Sequence, residues 1–250
     1  MHETLTQLPD KVDWRKYAFY LDFDGTLAPI VDRPGDVRVD ERTRQSLSRL
    51  QCLTDGAVAV ISGRAIADLE GHLAPTVCAV SGSHGLEFKA VGQVAQMVTD
   101  ATEILGPALD RISDFAAQHG LLVEDKPGAV TVHYRGRAEA AAAARSLVDR
   151  VAAGSASLRA MHGNMVSEVA IAGVDKGSAL RQFMLDTPFS GRLPITAGDD
   201  VTDEDAFRAA NDLHGFSIKI GPGQTEATYR VGNIDDFLAW LWQVTDPPND

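Results

Sequence analysis

Two aspartates one residue apart stand in the run Asp22-Phe23-Asp24-Gly25-Thr26-Leu27. The run closes an apolar segment, residues 17–23, that reads as a buried strand. Ligands of open α/β sheets bind beyond the carboxyl ends of the strands, so the pair would point into the crevice of such a sheet. Carboxylates held together repel one another unless a cation lies between them. A Mg²⁺ ion would relieve that repulsion and would also accept phosphate oxygens. A solvated turn explains the same residues, because Asp and Gly are common turn formers. Taken alone, the run leaves the two readings level.

Three further elements carry chemistry of the same kind. Ser62-Gly63-Arg64 ends another apolar run, residues 57–62. A serine hydroxyl and backbone N–H groups at a helix start can hold a phosphoryl oxygen. An ordinary N-cap serine with a turn glycine is the plainer account, and alone it is the stronger one. Lys176-Gly177 opens a helix that continues to about residue 185. Lysine suits the other end of a helix dipole, so this placement asks for an anionic partner or leaves a surface lysine. The fourth element, Gly198-Asp199-Asp200-Val201-Thr202-Asp203-Glu204, closes an apolar strand at 194–198. Asp203 and Glu204 fit normal capping of the helix that follows. Asp199 and Asp200 precede that cap and suit a metal site better.

The elements that must position these groups alternate. Strands are expected at 17–23, 57–62, 77–81, 194–198 and 217–220. Helices are expected at 40–50 (with Asp40 as N-cap), 64–72, 176–185, 203–211 and 235–243. Strands that are apolar throughout and separated by helices argue for an α/β fold with a Rossmann-like parallel sheet covered on both faces. The middle of the chain differs. Helices at 94–119 and 138–153 alternate with hairpin-like pairs at 121–125 with 130–135 and at 158–161 with 165–171. Hairpins pair antiparallel and do not belong in a parallel sheet. The expected organisation is a core of residues 1–93 and 173–250 with a small α+β domain, 94–172, inserted in it.

Composition narrows the partners. The formal net charge is -12, so nucleic acid and anionic membranes are not expected to bind. An acidic protein acting on a phosphate ester needs a metal ion and a few placed cations to offset repulsion. Cys52 and Cys78 are the two cysteines and read as buried thiols in a reducing compartment. The polar N-terminus, with Asp10, Lys11 and Asp13, has no signal-like apolar core, and no run has the apolar length of a membrane span. A cytoplasmic monomer is expected. His2, His72, His119 and His214 read as surface residues, and Trp240 and Trp242 as packing.

The four elements, in this order, resemble the haloacid dehalogenase superfamily of phosphohydrolases. DFDGTL is similar to its first motif, ISGR to its second, the helix-opening Lys176 to its third and GDDVTDED to its fourth. The resemblance implies Asp22 as nucleophile, Asp24 as general acid and base, and Ser62 and Lys176 as phosphate-stabilising groups. It implies Mg²⁺ held by Asp22, by the backbone carbonyl of Asp24 and by Asp199. An inserted domain between the second and third motifs is, in that superfamily, a cap that chooses the substrate.

The insert and the segment before it are similar to trehalose-6-phosphate phosphatases. The residues concerned are Gly82-Ser83-His84-Gly85-Leu86-Glu87, Glu124 with Lys126, His133-Tyr134-Arg135, and Glu168. The resemblance implies a sugar phosphate, trehalose 6-phosphate, as substrate. Arg64, His84, Glu124, Lys126, Arg135 and Glu168 would be its binding residues. Strand periodicity puts Glu124 and Lys126 on one face, and Thr131, His133 and Arg135 on one face opposite Val130, Val132 and Tyr134. Taken alone, that pattern is better explained by a solvated face with cross-strand ion pairs than by a sugar site, and the resemblance reverses the order. The alternatives are a sucrose-phosphate or mannosylphosphoglycerate type of phosphatase, a phosphohexose mutase, and a non-catalytic scaffold, against which the intact Asp22, Asp24, Lys176 and Asp199 weigh.

Overall fold

The structure is a computed structural model that describes residues 7–9, 13–31, 33–76 and 78–246. His2, Asp10, Lys11 and Val77 therefore lie outside the described residues. The chain forms two compact units, Met1–Gln96 with Asp175–Asp250, and Met97–Val174.

Along the chain come β1 (Tyr17–Leu21), α1 (Glu41–Leu53), β2 (Val58–Ile61), α2 (Ile66–Leu73), β3 (Ala79–Gly82), β4 (Glu87–Lys89) and the two-residue β5 (Gln96–Met97). The second unit supplies α3 (Ala101–His119), β6 (Leu122–Lys126), β7 (Ala129–His133), α4 (Ala141–Ala153), β8 (Leu158–Gly163) and β9 (Val166–Ile171). The first unit then resumes with α5 (Lys176–Phe183), β10 (Leu193–Gly198), α6 (Asp203–Asp212), β11 (Phe216–Ile220), β12 (Tyr229–Val231) and α7 (Ile234–Thr245).

The first unit is built on a sheet of order β12-β11-β10-β1-β2-β3-β4-β5. From β12 to β3 every pairing is parallel, and β4 joins β3 antiparallel. Side chains of β1 alternate between two apolar clusters. Phe19 and Leu21 pack with Leu47, Leu69 and Phe237 on one side, while Ala18 and Tyr20 pack with Leu180, Phe183 and Ala209 on the other. Helices on both faces explain why these strands are apolar at every position. The order places β10, β1 and β2 side by side, so the chain following each leaves the sheet at one edge, at its centre. Asp199, Asp22 and Ser62 are the residues that follow them.

The second unit has a four-stranded antiparallel sheet, β6-β7-β9-β8, with α3 and α4 on one face. Val130, Val132, Tyr134, Val169 and Ile171 are buried on the helix side.

Several expectations are corrected. The helix expected from residue 94 begins at Ala101, where the Asp100 side chain accepts from Glu103 N at 3.0 Å. Val94, Met97 and Val98 supply helical periodicity, but they are exposed, and a stripe with nothing to bury it holds no helix. Cys52 is exposed rather than buried, because it lies on the outward side of α1. Strands β4 and β12 were not foreseen; each has three residues, too few to show a period. His72 is not a plain surface residue, as its contacts below show. Trp240 is buried in the core, and Trp242 lies under the guanidinium groups of Arg42 and Arg49.

Candidate active site

Lys176 organises the centre. The Asp175 side chain accepts from Ser178 N at 2.8 Å, and the Ser178 hydroxyl accepts from Asp175 N at 2.9 Å. This capping box starts α5 at Lys176 and directs the lysine into the protein. Its side chain is only 4% exposed, and Nζ donates to Asp22 Oδ1 and to Asp203 Oδ1, both at 2.6 Å. Thr26, fully buried, donates to the other Asp22 oxygen at 3.2 Å.

Asp203 is the residue that sequence reasoning missed. An acid in the first turn of a helix is ordinary capping, and only its burial distinguishes this one. Its second oxygen accepts from Asp200 N at 2.9 Å, so both oxygens are engaged. Asp199 completes the group. Carboxylate oxygens of Asp22, Asp199 and Asp203 lie within 4.8 Å of one another. The Asp199 carboxylate accepts no hydrogen bond among the described residues, while its backbone carbonyl accepts from buried Lys219. Gly25 lets this carboxylate approach. Its φ is +78°, and a Cβ there would stand 2.3 Å from the Asp199 carboxylate, so no other residue fits.

The charge balance is unfavourable as it stands. Burial pushes the Asp22 carboxyl up, Lys176 pulls it back, and Asp203 adds to the rise. Burial would lower Lys176, but the two carboxylates override it and raise the ammonium. Asp199 is raised by burial and then by the charges of Asp203 and Asp200. Three carboxylates around one ammonium form an all-oxygen donor set with an excess of negative charge, which fits a hard divalent cation.

Asp24 faces elsewhere. Arg64 grips its carboxylate with two donors, Nε to Oδ2 at 2.6 Å and Nη2 to Oδ1 at 2.8 Å. Arg64 also donates to Asp68 at 2.7 Å and lies over the Phe23 ring at 5.4 Å. The His72 ring lies tilted against Phe23, with centroids 5.7 Å apart, and reaches Asp68 at 3.3 Å. The carboxylate of Asp24 is thus outside the acidic group, which leaves its backbone carbonyl as the ligand expected from it.

Ser62 is buried, and its hydroxyl accepts from Arg64 N at 3.2 Å, the cap-like contact of the plainer reading. His84 N donates to the Ser62 carbonyl at 3.0 Å. Ser83 and His84 have φ of 50° and 55°, which non-glycine residues rarely adopt. The His84 ring fills the space beside Gly63, where a Cβ would meet it at 2.6 Å.

A second polar cluster lies in the other unit, on the sheet face away from α3 and α4. Register aligns Glu124 with Thr131 and Thr131 with Glu168. Thr131 donates to Glu168 at 2.5 Å, and Lys126 is 3.4 Å from Glu124 and 3.7 Å from Glu168. His133 meets Glu124 at 3.0 Å. Arg135 stands apart: it follows the end of β7, is exposed, and forms no ion pair among the described residues.

Comparison with known proteins gives this geometry a family. Residues 20–234 match the family described as trehalose-phosphatase. The chain is 35% identical over 246 residues to a trehalose-6-phosphate phosphatase of Escherichia coli, covering 98% of this chain and 92% of that protein. It is 32% identical to a probable trehalose-phosphate phosphatase of Sinorhizobium fredii, covering 89% and 84%. A trehalose-6-phosphate phosphatase structure from Aspergillus fumigatus superposes with a TM-score of 0.80 at 25% identity, covering 98% and 99%. A haloacid dehalogenase-like hydrolase from B. subtilis, 13% identical with a TM-score of 0.65 over 94% of this chain and 100% of that one, shares the fold. The chain belongs to the trehalose-phosphatase family.

Proposed function

We propose that this chain hydrolyses trehalose 6-phosphate to trehalose and inorganic phosphate, with Mg²⁺ as cofactor and Asp22 as nucleophile. The observation that carries the reading is the buried Asp22–Lys176–Asp203 array beside the open carboxylate of Asp199. The names of the relatives supply the sugar. Asp22 attacks phosphorus through Oδ2 or Oδ1, forms an acyl phosphate, and the sugar oxygen leaves with its bonding pair. Asp24 gives that oxygen a proton and then takes one from the water that cleaves the acyl phosphate. Arg64 holds both oxygens of Asp24, so it has to release that carboxyl before Asp24 can reach the sugar oxygen. Lys176 holds Asp22 in place and offsets charge on the phosphoryl oxygens. Asp203, with both oxygens occupied, braces Lys176.

Asp22, Asp199 and the Asp24 carbonyl would hold Mg²⁺, whose charge, when bound, offsets that of the phosphoryl group. Treatment with EDTA is expected to lower the rate at least about a hundredfold, and Mg²⁺ to restore it. Full activity after thorough chelation would refute the metal assignment. Among the described residues no helix is long and apolar enough to cross a membrane. Two unpaired cysteines suit a reducing compartment, which supports the cytoplasm as the place of the reaction.

In this reading the Glu124, Lys126, Glu168 cluster selects the sugar, as a cap would. Carboxylates accept from vicinal hydroxyls and lysine donates in return. Glu168→Ala is expected to lower the kcat/KM ratio of trehalose 6-phosphate to p-nitrophenyl phosphate by about tenfold. Parallel loss on both substrates would place Glu168 in folding or core chemistry instead. The function itself is tested by phosphate release from trehalose 6-phosphate, sucrose 6-phosphate and glucose 6-phosphate at equal concentration. The first should be hydrolysed at least about tenfold faster than either other; equal rates would contradict the assignment.

A further inference from the structure

Arg64 serves two carboxylates at once. Its Nε and Nη2 face Asp24, and its Nη1 donates to Asp68 Oδ2 at 2.7 Å. All three residues belong to the first unit. Asp24 follows β1, whereas Asp68 lies in the first turn of α2. His72, one turn further along α2, closes the group. Its Nε2 is 3.3 Å from Asp68 Oδ1 and 3.5 Å from Arg64 Nη1. The Arg64 side chain is only 12% exposed, while Asp68 is 47% exposed and Asp24 37%. An acid in the first turn of a helix suits the dipole whichever way it points. This one points back to the residue that holds Asp24.

A guanidinium shared between two carboxylates holds each less firmly than it would hold one alone. The anions repel each other and compete for the same charge. The consequence concerns release. The proton transfer proposed for Asp24 requires Arg64 to let go of it. With Asp68 in place, a guanidinium that lets go keeps a carboxylate on Nη1. Without Asp68, the same step separates a largely buried cation from both carboxylates, and the grip on Asp24 tightens.

We propose that Asp68 is a positioning residue: it draws Arg64 away from Asp24 and so frees that carboxyl for proton transfer to the leaving oxygen. It acts through Arg64 and involves the first unit alone. The inference rests on the reading of Asp24 as general acid and base, and adds a residue to it. No motif points to Asp68; the divided guanidinium does.

The test uses the whole chain with Mg²⁺ and its Asp68→Asn, Asp68→Glu and Asp24→Asn variants. Two aryl phosphates isolate the proton transfer. p-Nitrophenolate departs readily without a proton, whereas phenolate depends on receiving one. For each preparation, kcat/KM is read from release of the phenol, and the ratio of phenyl phosphate to p-nitrophenyl phosphate is taken. Both rates come from the same sample, so the folded fraction cancels. Asp68→Asn should lower the ratio about tenfold, and Asp24→Asn at least as much. Asp68→Glu, which keeps the charge, should recover most of it. An unchanged ratio in Asp68→Asn, whether the two rates hold or fall together, overturns the inference; if Asp24→Asn still lowers the ratio, the role of Asp24 stands. A lowered ratio that Asp68→Glu leaves equally low also overturns it, because it marks a distorted α2 rather than a lost charge. If Asp24→Asn leaves the ratio unchanged, the acid role of Asp24 fails and the inference falls with it.

Discussion

Asp22→Asn is expected to fold and to release phosphate from trehalose 6-phosphate at least about a thousandfold more slowly than the native chain. The amide has nearly the carboxylate's shape: its one oxygen can still accept from Lys176, which contacts Asp22 at 2.6 Å, and its NH2 can donate to the Thr26 hydroxyl oxygen, 3.2 Å from the other position. It is not anionic, and it cannot form the acyl phosphate. The substitution also removes one negative charge from a site where three carboxylates face one ammonium. Stability should therefore hold or rise. Initial rates beside thermal melts check both halves. A folded variant with activity within about tenfold of native would remove Asp22 from the covalent role.

Lys176→Met is expected to damage folding and turnover together. The ammonium is buried, and both carboxylates it contacts are nearly inaccessible to water. Removing it leaves Asp22 and Asp203 facing each other with no cation between them. Breaking a buried ion pair from one side costs about 3–5 kcal/mol. For a chain of this size that corresponds to a fall in Tm of roughly 10 °C. The chemistry suffers separately. Lys176 is the group that opposes the upward push of burial on Asp22, so without it the nucleophile becomes more protonated. The phosphoryl oxygens also lose a donor, and kcat should fall at least about a hundredfold. A variant with native Tm and native kcat would show that Lys176 is peripheral.

How much of this was legible in the sequence depended on what each residue's neighbours in the chain could reveal. Asp22, Ser62 and Asp199 each end an apolar strand, and the alternation of strands and helices was enough to expect a parallel sheet. That β10, β1 and β2 lie adjacent is a matter of strand order, which local pattern does not contain. Asp203 was hidden by its position: in the first turn of α6 an acid satisfies capping preference whether or not it also contacts a buried lysine. The contacts of His72 and the grip of Arg64 on Asp24 were hidden for a different reason. Their shared partner Asp68 lies on the same helix as His72, but Phe23, against which both lie, and Asp24, which Arg64 grips, come from a distant strand end. Arg135 follows its strand period only if β7 continues, and β7 ends at His133. Exposed Val94, Met97 and Val98 misled in the opposite direction, since apolar spacing implies a helix only when the stripe is buried.

The Arg64 clamp bears on how the site is used. Two carboxylates, Asp24 and Asp68, share one guanidinium, with Asp24 taking two donors and Asp68 one. Asp24 in this arrangement is turned to Arg64, so the proton transfer proposed for it begins with a change of partner rather than with the geometry observed.

The most direct measurement is the product balance from trehalose 6-phosphate. The native chain with Mg²⁺ is incubated with the substrate, and free trehalose, inorganic phosphate and remaining phosphosugar are quantified in the same samples. The account predicts trehalose and phosphate appearing in equal amounts, at the expense of substrate and with no new sugar phosphate. Rearranged phosphosugar with little free phosphate would make the chain a mutase, and an unchanged substrate pool would contradict the proposed activity altogether.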